Sequence, residues 1–515
     1  MNIKLRDFFS RYWILLVLIT IKMILQYVVV NPIYELHRDE FLYLNQAYHL
    51  AFGYISVPPF TAVIAKIVYL LGGSLFWVRF FPALFGALTV IFVWLTIEAI
   101  GGSLFSRILA SAALIFSALA RINILFQPNS WDILTWTVVF YLLVKFIQSE
   151  KSRWMYFLSF VIAVGFYNKY NMIFLIAGLV AGFLFTYQRK LFTKTSFWKA
   201  LVLSLIILAP NIIWQIVNHF PVFQHMKVLK ANQLDNNTSM DFLKSQLFFF
   251  FGSLPITAAA IIAFIIYEPF RPYRFIGIAF ATILALFAFM KAKGYYAVGI
   301  YPAVIAFGSV YIDNILTKRW RPIIIPILII VNLGIFFLTV KVVFPVYTPA
   351  EIRENAQAFE KFGMLRWEDG KNHNLPQDFA DMLGWREMAD KSIAAYKVVP
   401  ADELGNTLII CNNYGQAGAL NYYNKGKLPE AYAFNTDYIY WLPFLKKIDN
   451  VLVVGKKPSE EIIRLFKDCK LMGVVENKYA RENNTGIYLL TGSDASFTEI
   501  FYKLVEDRKR KLDIF

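Results

Sequence analysis

Long apolar runs broken by short polar connections fill residues 12–343, and none alternates with the period of two expected of a half-buried strand. At about 20 apolar residues per membrane-crossing helix, they resolve into about eleven spans: 12–30, 78–100, 104–125, 131–148, 154–167, 172–187, 198–217, 243–267, 274–290, 296–313 and 322–343. A shorter stretch, 59–72, is read as an interfacial or re-entrant helix. The first run follows basic residues, as a secretory leader would. It ends Val28-Val29-Val30-Asn31-Pro32 with no small-residue cleavage site, so it is read as an uncleaved span.

The pattern changes near Pro345. Short apolar runs at 407–411, 451–455, 471–475 and 486–490 alternate with stretches at 414–424 and 459–468 that read as helical. This alternation predicts a small α/β domain with a mainly parallel sheet. The expected organisation is an α-helical polytopic membrane domain, 1–344, followed by a soluble domain, 345–515.

Composition agrees with the hydropathy. The chain is 58% hydrophobic, with 49 Phe and 29 Tyr among 515 residues, above the roughly 45–50% of soluble domains. The net charge of +16 does not point to nucleic acid, because the basic residues are spread through the connections. Lys4, Arg6, Arg11, Arg107, Lys151, Arg153, Arg189, Lys190, Lys194, Lys199, Arg271, Arg274, Lys318, Arg319 and Arg321 fall on one set of loops. The alternate loops hold fewer: Arg38, Lys66, Lys169, Lys227, Lys230, Lys291 and Lys293. By the positive-inside rule the first set is cytoplasmic, which places the N-terminus inside and residues 345–515 outside. Neither phosphate-binding glycine motif, of the P-loop or the dinucleotide fold, stands after a predicted strand. The two cysteines lack metal-ligand spacing, and His219 and His225 are not a helical ligand pair.

The candidate chemistry lies at the outer ends of the spans. Tyr34-Glu35-Leu36-His37-Arg38-Asp39-Glu40 follows the first span. A carboxylate beside lipid is costly unless it has a task, such as taking the proton of an acceptor hydroxyl. The alternative is a solvated loop in which Asp39 caps the next helix. Lys169, Lys291 and Lys293, with Tyr295 and Tyr296, could meet an anion, or the lysines could be snorkelling cations. Asp132 reads equally as a cavity acid or as a helix cap. His219 opens a long outer loop with polar and aromatic neighbours. In the outer domain Trp385, Tyr414, Tyr422 and Trp441 are available for sugar stacking, although such residues more often form core.

Taken together, these features resemble the family-39-like GT-C glycosyltransferases, which include protein O-mannosyltransferases and lipid A aminoarabinose transferases. The resemblance rests on Asp39-Glu40 after the first span, Pro58-Pro59 ahead of an amphipathic helix, and Gln127-Pro128-Asn129-Ser130-Trp131-Asp132. Gly165-Phe166-Tyr167-Asn168-Lys169-Tyr170 and Lys291-Ala292-Lys293-Gly294-Tyr295-Tyr296 add to it, over roughly residues 1–345. It implies transfer of a sugar from a polyprenyl-phosphate donor to a lipid, glycan or protein acceptor, outside the plasma membrane. Asp39 would be the base and Glu40 its orienting or acceptor-binding neighbour. Arg38, Lys169, Lys291, Lys293, Tyr295 and Tyr296 would bind the donor phosphate, and Asp132 and His219 would line the cavity or meet the acceptor. No cofactor is implied, and a divalent cation is not indicated, since adjacent Asp39 and Glu40 diverge on a helix and chelate poorly. The chain departs from the aminoarabinose transferases at Val57, where they carry a lysine before the paired prolines. A secondary transporter or flippase of a lipid-linked substrate is the competing class.

Overall fold

The computed structural model describes residues 3–232, 237–424 and 426–513. Every expected span is helical, but not every one is long. Among the described residues seven helices have the length and apolarity to cross a membrane: Arg11–Val28, Leu75–Ala99, Pro128–Ser149, Thr195–Val217, Glu268–Phe289, Gly294–Ile315 and Arg321–Val343. The expected spans 172–187 and 243–267 are pairs bent by 109° and 72°, which brings the count to nine if each pair is one span. The two remaining segments are shorter. The 104–125 run stops as a helix at Ile115, because Phe116 leaves helical backbone (φ −101°, ψ 56°). The 154–167 run forms Ser152–Asn168 and ends where Lys169 becomes extended. The stretch at 59–72 forms the helix Phe60–Leu70, with Val63, Ile67 and Leu70 exposed.

The chain divides into two compact units. The first comprises residues 1–30, 76–212 and 230–346, and among its described residues the regular elements are all helices. Its interior is aromatic and aliphatic, with Trp94, Trp136, Phe140, Phe275 and Phe287 fully buried. Glycines set the closest helix approaches. Gly308 lies against the carbonyl of Ile256, and Gly182 against that of Phe275, so neither position has room for a Cβ. Near helix ends Glu98 joins Arg11 and Arg107, and Asp313 pairs with Arg321 at 3.2 Å, whereas Lys22 is buried midway along the first helix and donates to Gln26 and Asn123.

The second unit comprises 31–75, 213–229 and 347–515. Its sheet has the order β2-β1-β3-β5-β4, from β1 (Thr407–Cys411), β2 (Ala431–Ala433), β3 (Asn450–Gly455), β4 (Phe466–Val474) and β5 (Gly486–Ser493). β1 pairs in parallel with β2 and β3, whereas β5 runs antiparallel to both β3 and β4. The sheet is therefore mixed rather than mainly parallel. The expected helix at 459–468 shrinks to Glu460–Ile463, and Phe466 already belongs to β4. Asp468 and Lys470 show why: they pair at 2.9 Å, and residues two apart share a face on a strand but not on a helix. The 414–424 helix forms as expected, over Tyr414–Asn424.

Replacing Gly308 by Val drives a branched side chain into the Ile256 backbone. The expected cost is about 1–3 kcal/mol, read as a lower melting temperature in detergent. Gly334 has nothing within 4 Å of a built Cβ, so Gly334→Ala should hold or raise that temperature.

Candidate active site

In the first unit the turn after Ser152–Asn168 carries Lys169. Its Nζ donates to Asn129 Oδ1 at 2.8 Å and stands 4.6 Å from the ring centre of Tyr296 and 5.1 Å from that of Tyr295. The two rings meet edge to face at 4.9 Å. The cradle is held by amides. Asn168 donates to the Pro128 carbonyl, and Asn171 donates to Asp132 Oδ2 at 2.8 Å and to the Tyr296 carbonyl at 3.0 Å. Asp132 is buried inside the helix that begins at Pro128, so it is not that helix's cap.

Among the described residues no carboxylate comes within ion-pair distance of Lys169. Burial lowers its pKa to about 8, with Asp132 working against the shift and Lys293 reinforcing it. Lys293 precedes the turn of helix Gly294–Ile300, whose first carbonyl accepts from Gln246. Lys291 is exposed in left-handed backbone (φ 51°). The fold thus gathers Asp132, Lys169, Tyr295 and Tyr296, with Lys293 close enough to act on Lys169 electrostatically. Asn129 and Asn171 complete the cluster. Each sits in a polar stretch at a span boundary, but neither is among the residues to which the sequence alone assigns a role.

In the second unit Asp39 and Glu40 lie in the first turn of the Arg38–Gln46 helix and play different parts. The cap is His37, whose Nδ1 accepts from the Asp39 N–H, while the Glu40 carboxylate accepts from the His37 N–H at 2.6 Å. Glu40 is fully buried in this reciprocal cap. The Asp39 carboxylate accepts a hydrogen bond from the Tyr414 hydroxyl at 2.7 Å. Arg38 lays its guanidinium over the Tyr414 ring at 4.5 Å. His37 Nε2 lies 3.7 Å from Asp381, which also receives two contacts from Arg481 at 3.1 and 3.2 Å. His219 is exposed at the end of its helix with φ 58° and joins neither cluster.

The proposed sugar-stacking aromatics are engaged elsewhere within this unit. Trp385 is fully buried and donates to the Asp381 carbonyl, Tyr422 donates to the Gly73 carbonyl, and Trp441 stacks on His49 at 4.3 Å. Among the described residues no group of three or more His, Cys, Asp or Glu side chains is gathered as a metal site would need.

Residues 56–214 match the family of dolichyl-phosphate-mannose-protein mannosyltransferases. The structure resembles ArnT from Cupriavidus metallidurans in its apo state, with a TM-score of 0.64 at 13% identity, covering 93% of this chain and 98% of that one. It resembles equally ArnT bound to undecaprenyl phosphate, at 14% identity with the same coverage. The chain has the GT-C fold. The GT-C resemblance extends to the archaeal oligosaccharyltransferase AglB from Archaeoglobus fulgidus, solved with an inhibitory peptide and a dolichol-phosphate. There the TM-score is 0.50 at 10% identity, covering 87% of this chain and 70% of that one. No curated protein matches the sequence.

Within this GT-C chain the loop ahead of Pro58-Pro59 is tied down by a buried acid. Asp437 accepts from the Gln46 amide, the Ile55 N–H and the Ser56 hydroxyl. Burial raises its pKa from 3.8 to about 6. An acid whose pKa is higher in the folded state favours folding while protonated. That contribution is full below about pH 4 and is lost as pH rises through 6. Melting temperatures of wild type measured against Asp437→Asn should therefore fall between pH 4 and 6 and level off above.

Proposed function

We propose that this protein is an integral membrane glycosyltransferase that moves a sugar from a polyprenyl-phosphate donor to an acceptor hydroxyl, with inversion. The observation that carries the reading is the Lys169 ammonium, set on two tyrosine rings and an asparagine oxygen with no carboxylate among the described residues in ion-pair contact with it. A cation so placed at the edge of the spans is poised for an anion brought in by substrate. The two GT-C proteins solved with undecaprenyl phosphate and dolichol-phosphate support a lipid phosphate as that anion.

Each cluster has its part of the chemistry. Asp39 takes the acceptor's hydroxyl proton as the acceptor oxygen bonds to the anomeric carbon. The bond from that carbon to the phosphate oxygen breaks on the opposite side, so one displacement inverts the centre. The leaving polyprenyl phosphate gathers negative charge, which Lys169 stabilises, aided by Lys293 and the Tyr295 and Tyr296 hydroxyls. Arg38, covering Tyr414, is assigned to holding Asp39 rather than to the donor, and Glu40 to holding the helix that carries it. Asp132 acts through Asn171, orienting the turn that presents Lys169. The distribution of basic residues supports an N-terminus in the cytoplasm, with residues 345–515 and the reaction outside the plasma membrane.

The test is transfer of labelled sugar from a panel of polyprenyl-phosphate donors by the reconstituted full chain. Asp39→Asn should lose at least about a thousandfold in rate, as expected when a base in the chemical step is removed from an otherwise intact site. Lys169→Gln should weaken donor binding about 10- to 100-fold, the loss of one charge-assisted contact. Donor affinity of the wild type should decline above about pH 8, where Lys169 gives up its proton. Labelled lipid crossing the bilayer with no transfer from any donor would replace this reading with that of a transporter.

A further inference from the structure

The mixed sheet of the second unit has a parallel portion centred on β1. β1 is flanked by β2 and β3, both parallel to it. The Tyr414–Asn424 helix leads from β1 to β2 on one side, and the chain then returns to β3 on the other. In open parallel sheets a crevice forms outside the carboxyl ends of the strands where the connections diverge in this way, and ligands bind there. Here the carboxyl end of β1 leads through Asn412-Asn413 into the helix. Asn413 Oδ1 caps that helix by accepting from the Gly415 and Gln416 N–H groups.

What meets this helix start is the chain's own Arg38-Asp39. Gly415 and Gly418 make the approach: a Cβ on Gly415 would come to 2.5 Å of Arg38 Cγ, and one on Gly418 to 2.7 Å of Phe41 Cβ. At the point of closest approach the Tyr414 hydroxyl donates to Asp39 Oδ1 at 2.7 Å, under the Arg38 guanidinium. We infer that the C-terminal α/β domain is a clamp on the Asp39 loop, with Tyr414 the positioning residue that orients the Asp39 carboxylate and keeps it ionised.

This rests on the reading of Asp39 as the base. A hydrogen bond donated to a carboxylate favours its charged form, and it fixes the plane in which the carboxylate meets an acceptor hydroxyl. Tyr414 is suited to donate rather than to ionise. Burial, and then the charge of Asp39, hold its pKa well above the ordinary tyrosine value. The other ionisable groups facing this pair are His37 and Arg38 from the same helix, Asp381 from the segment before Trp385, and Glu482 from the loop before β5. Glu482 is itself held by Asn413 and Gln416.

The experiment is carbodiimide labelling of the reconstituted full chain with glycine ethyl ester as the amine, followed across pH by peptide mass spectrometry. Only the protonated acid is activated, so the midpoint for Asp39 reports its ionisation. Tyr414→Phe removes one oxygen and should raise that midpoint by about half to one pH unit, a three- to tenfold gain in the protonated fraction. Gly418→Ala, which pushes the helix off Phe41, should move it the same way if Tyr414→Phe does not fold. Tyr423→Phe, at a buried hydroxyl beside Glu35, should not move it.

Turnover of whichever polyprenyl-phosphate donor is active gives the second readout. Tyr414→Phe should lower kcat about tenfold at unchanged donor KM and shift the acidic limb of the pH profile upward. An unmoved midpoint alongside an inactive Asp39→Asn overturns the clamp and leaves the base standing. Activity retained in Asp39→Asn overturns the base reading, and with it the catalytic meaning of the clamp.

Discussion

A lysine ammonium lodged against two aromatic faces and an amide oxygen, with no carboxylate among the described residues in ion-pair contact, is the constraint around which the polar cluster of the first unit is organised. Partly dehydrated charge is costly, and the fold lowers that cost without cancelling the charge. The Tyr295 and Tyr296 rings offer quadrupole attraction, Asn129 offers a lone pair, and Asp132 contributes at longer range through a position fixed by Asn171. A carboxylate in direct contact would stabilise the lysine better and leave nothing for a phosphate. The same logic explains why polar residues gather at the start of the Pro128–Ser149 helix and in the turn at 168–171. The hydrogen bonds from Asn168 and Asn171 lock those two segments to each other and to Tyr296.

The second unit holds two adjacent acids in different environments. Two adjacent acids would repel if both faced one site. The chain separates them by task, turning Glu40 back onto the His37 N–H and leaving Asp39 to the Tyr414 hydroxyl. Glycine at 415 and 418 lets the helix that carries Tyr414 approach closely. Asp381 and Arg481 then brace the His37 side of the same helix start.

Much of this was legible in the chain. Long apolar runs require helices in lipid, because every backbone group must be satisfied within its own segment. The Asp39-Glu40 pair, Lys169 and the Lys293-Tyr295-Tyr296 stretch stood out as polar chemistry at span ends. Less legible were the helix breaks, which depend on local backbone turns such as that at Phe116, and β4, whose charged residues read as helical until their pairing is seen. Tyr414 looked like a sugar platform or core, since nothing in its sequence surroundings names a partner 375 residues away.

The sequence by itself determined the membrane character, the helical positions and the residue types able to hold an anion or accept a proton. Hydropathy, helix length and side-chain chemistry are local properties that survive in one dimension. Only the tertiary structure decided which acid faces a tyrosine hydroxyl and which is consumed in a helix cap. It alone decided that Arg38 covers Tyr414, and that among the described residues Lys169 has no carboxylate in ion-pair contact. Those outcomes depend on angstrom-scale approach between segments distant in the chain, where one glycine or one hydrogen bond sets the geometry.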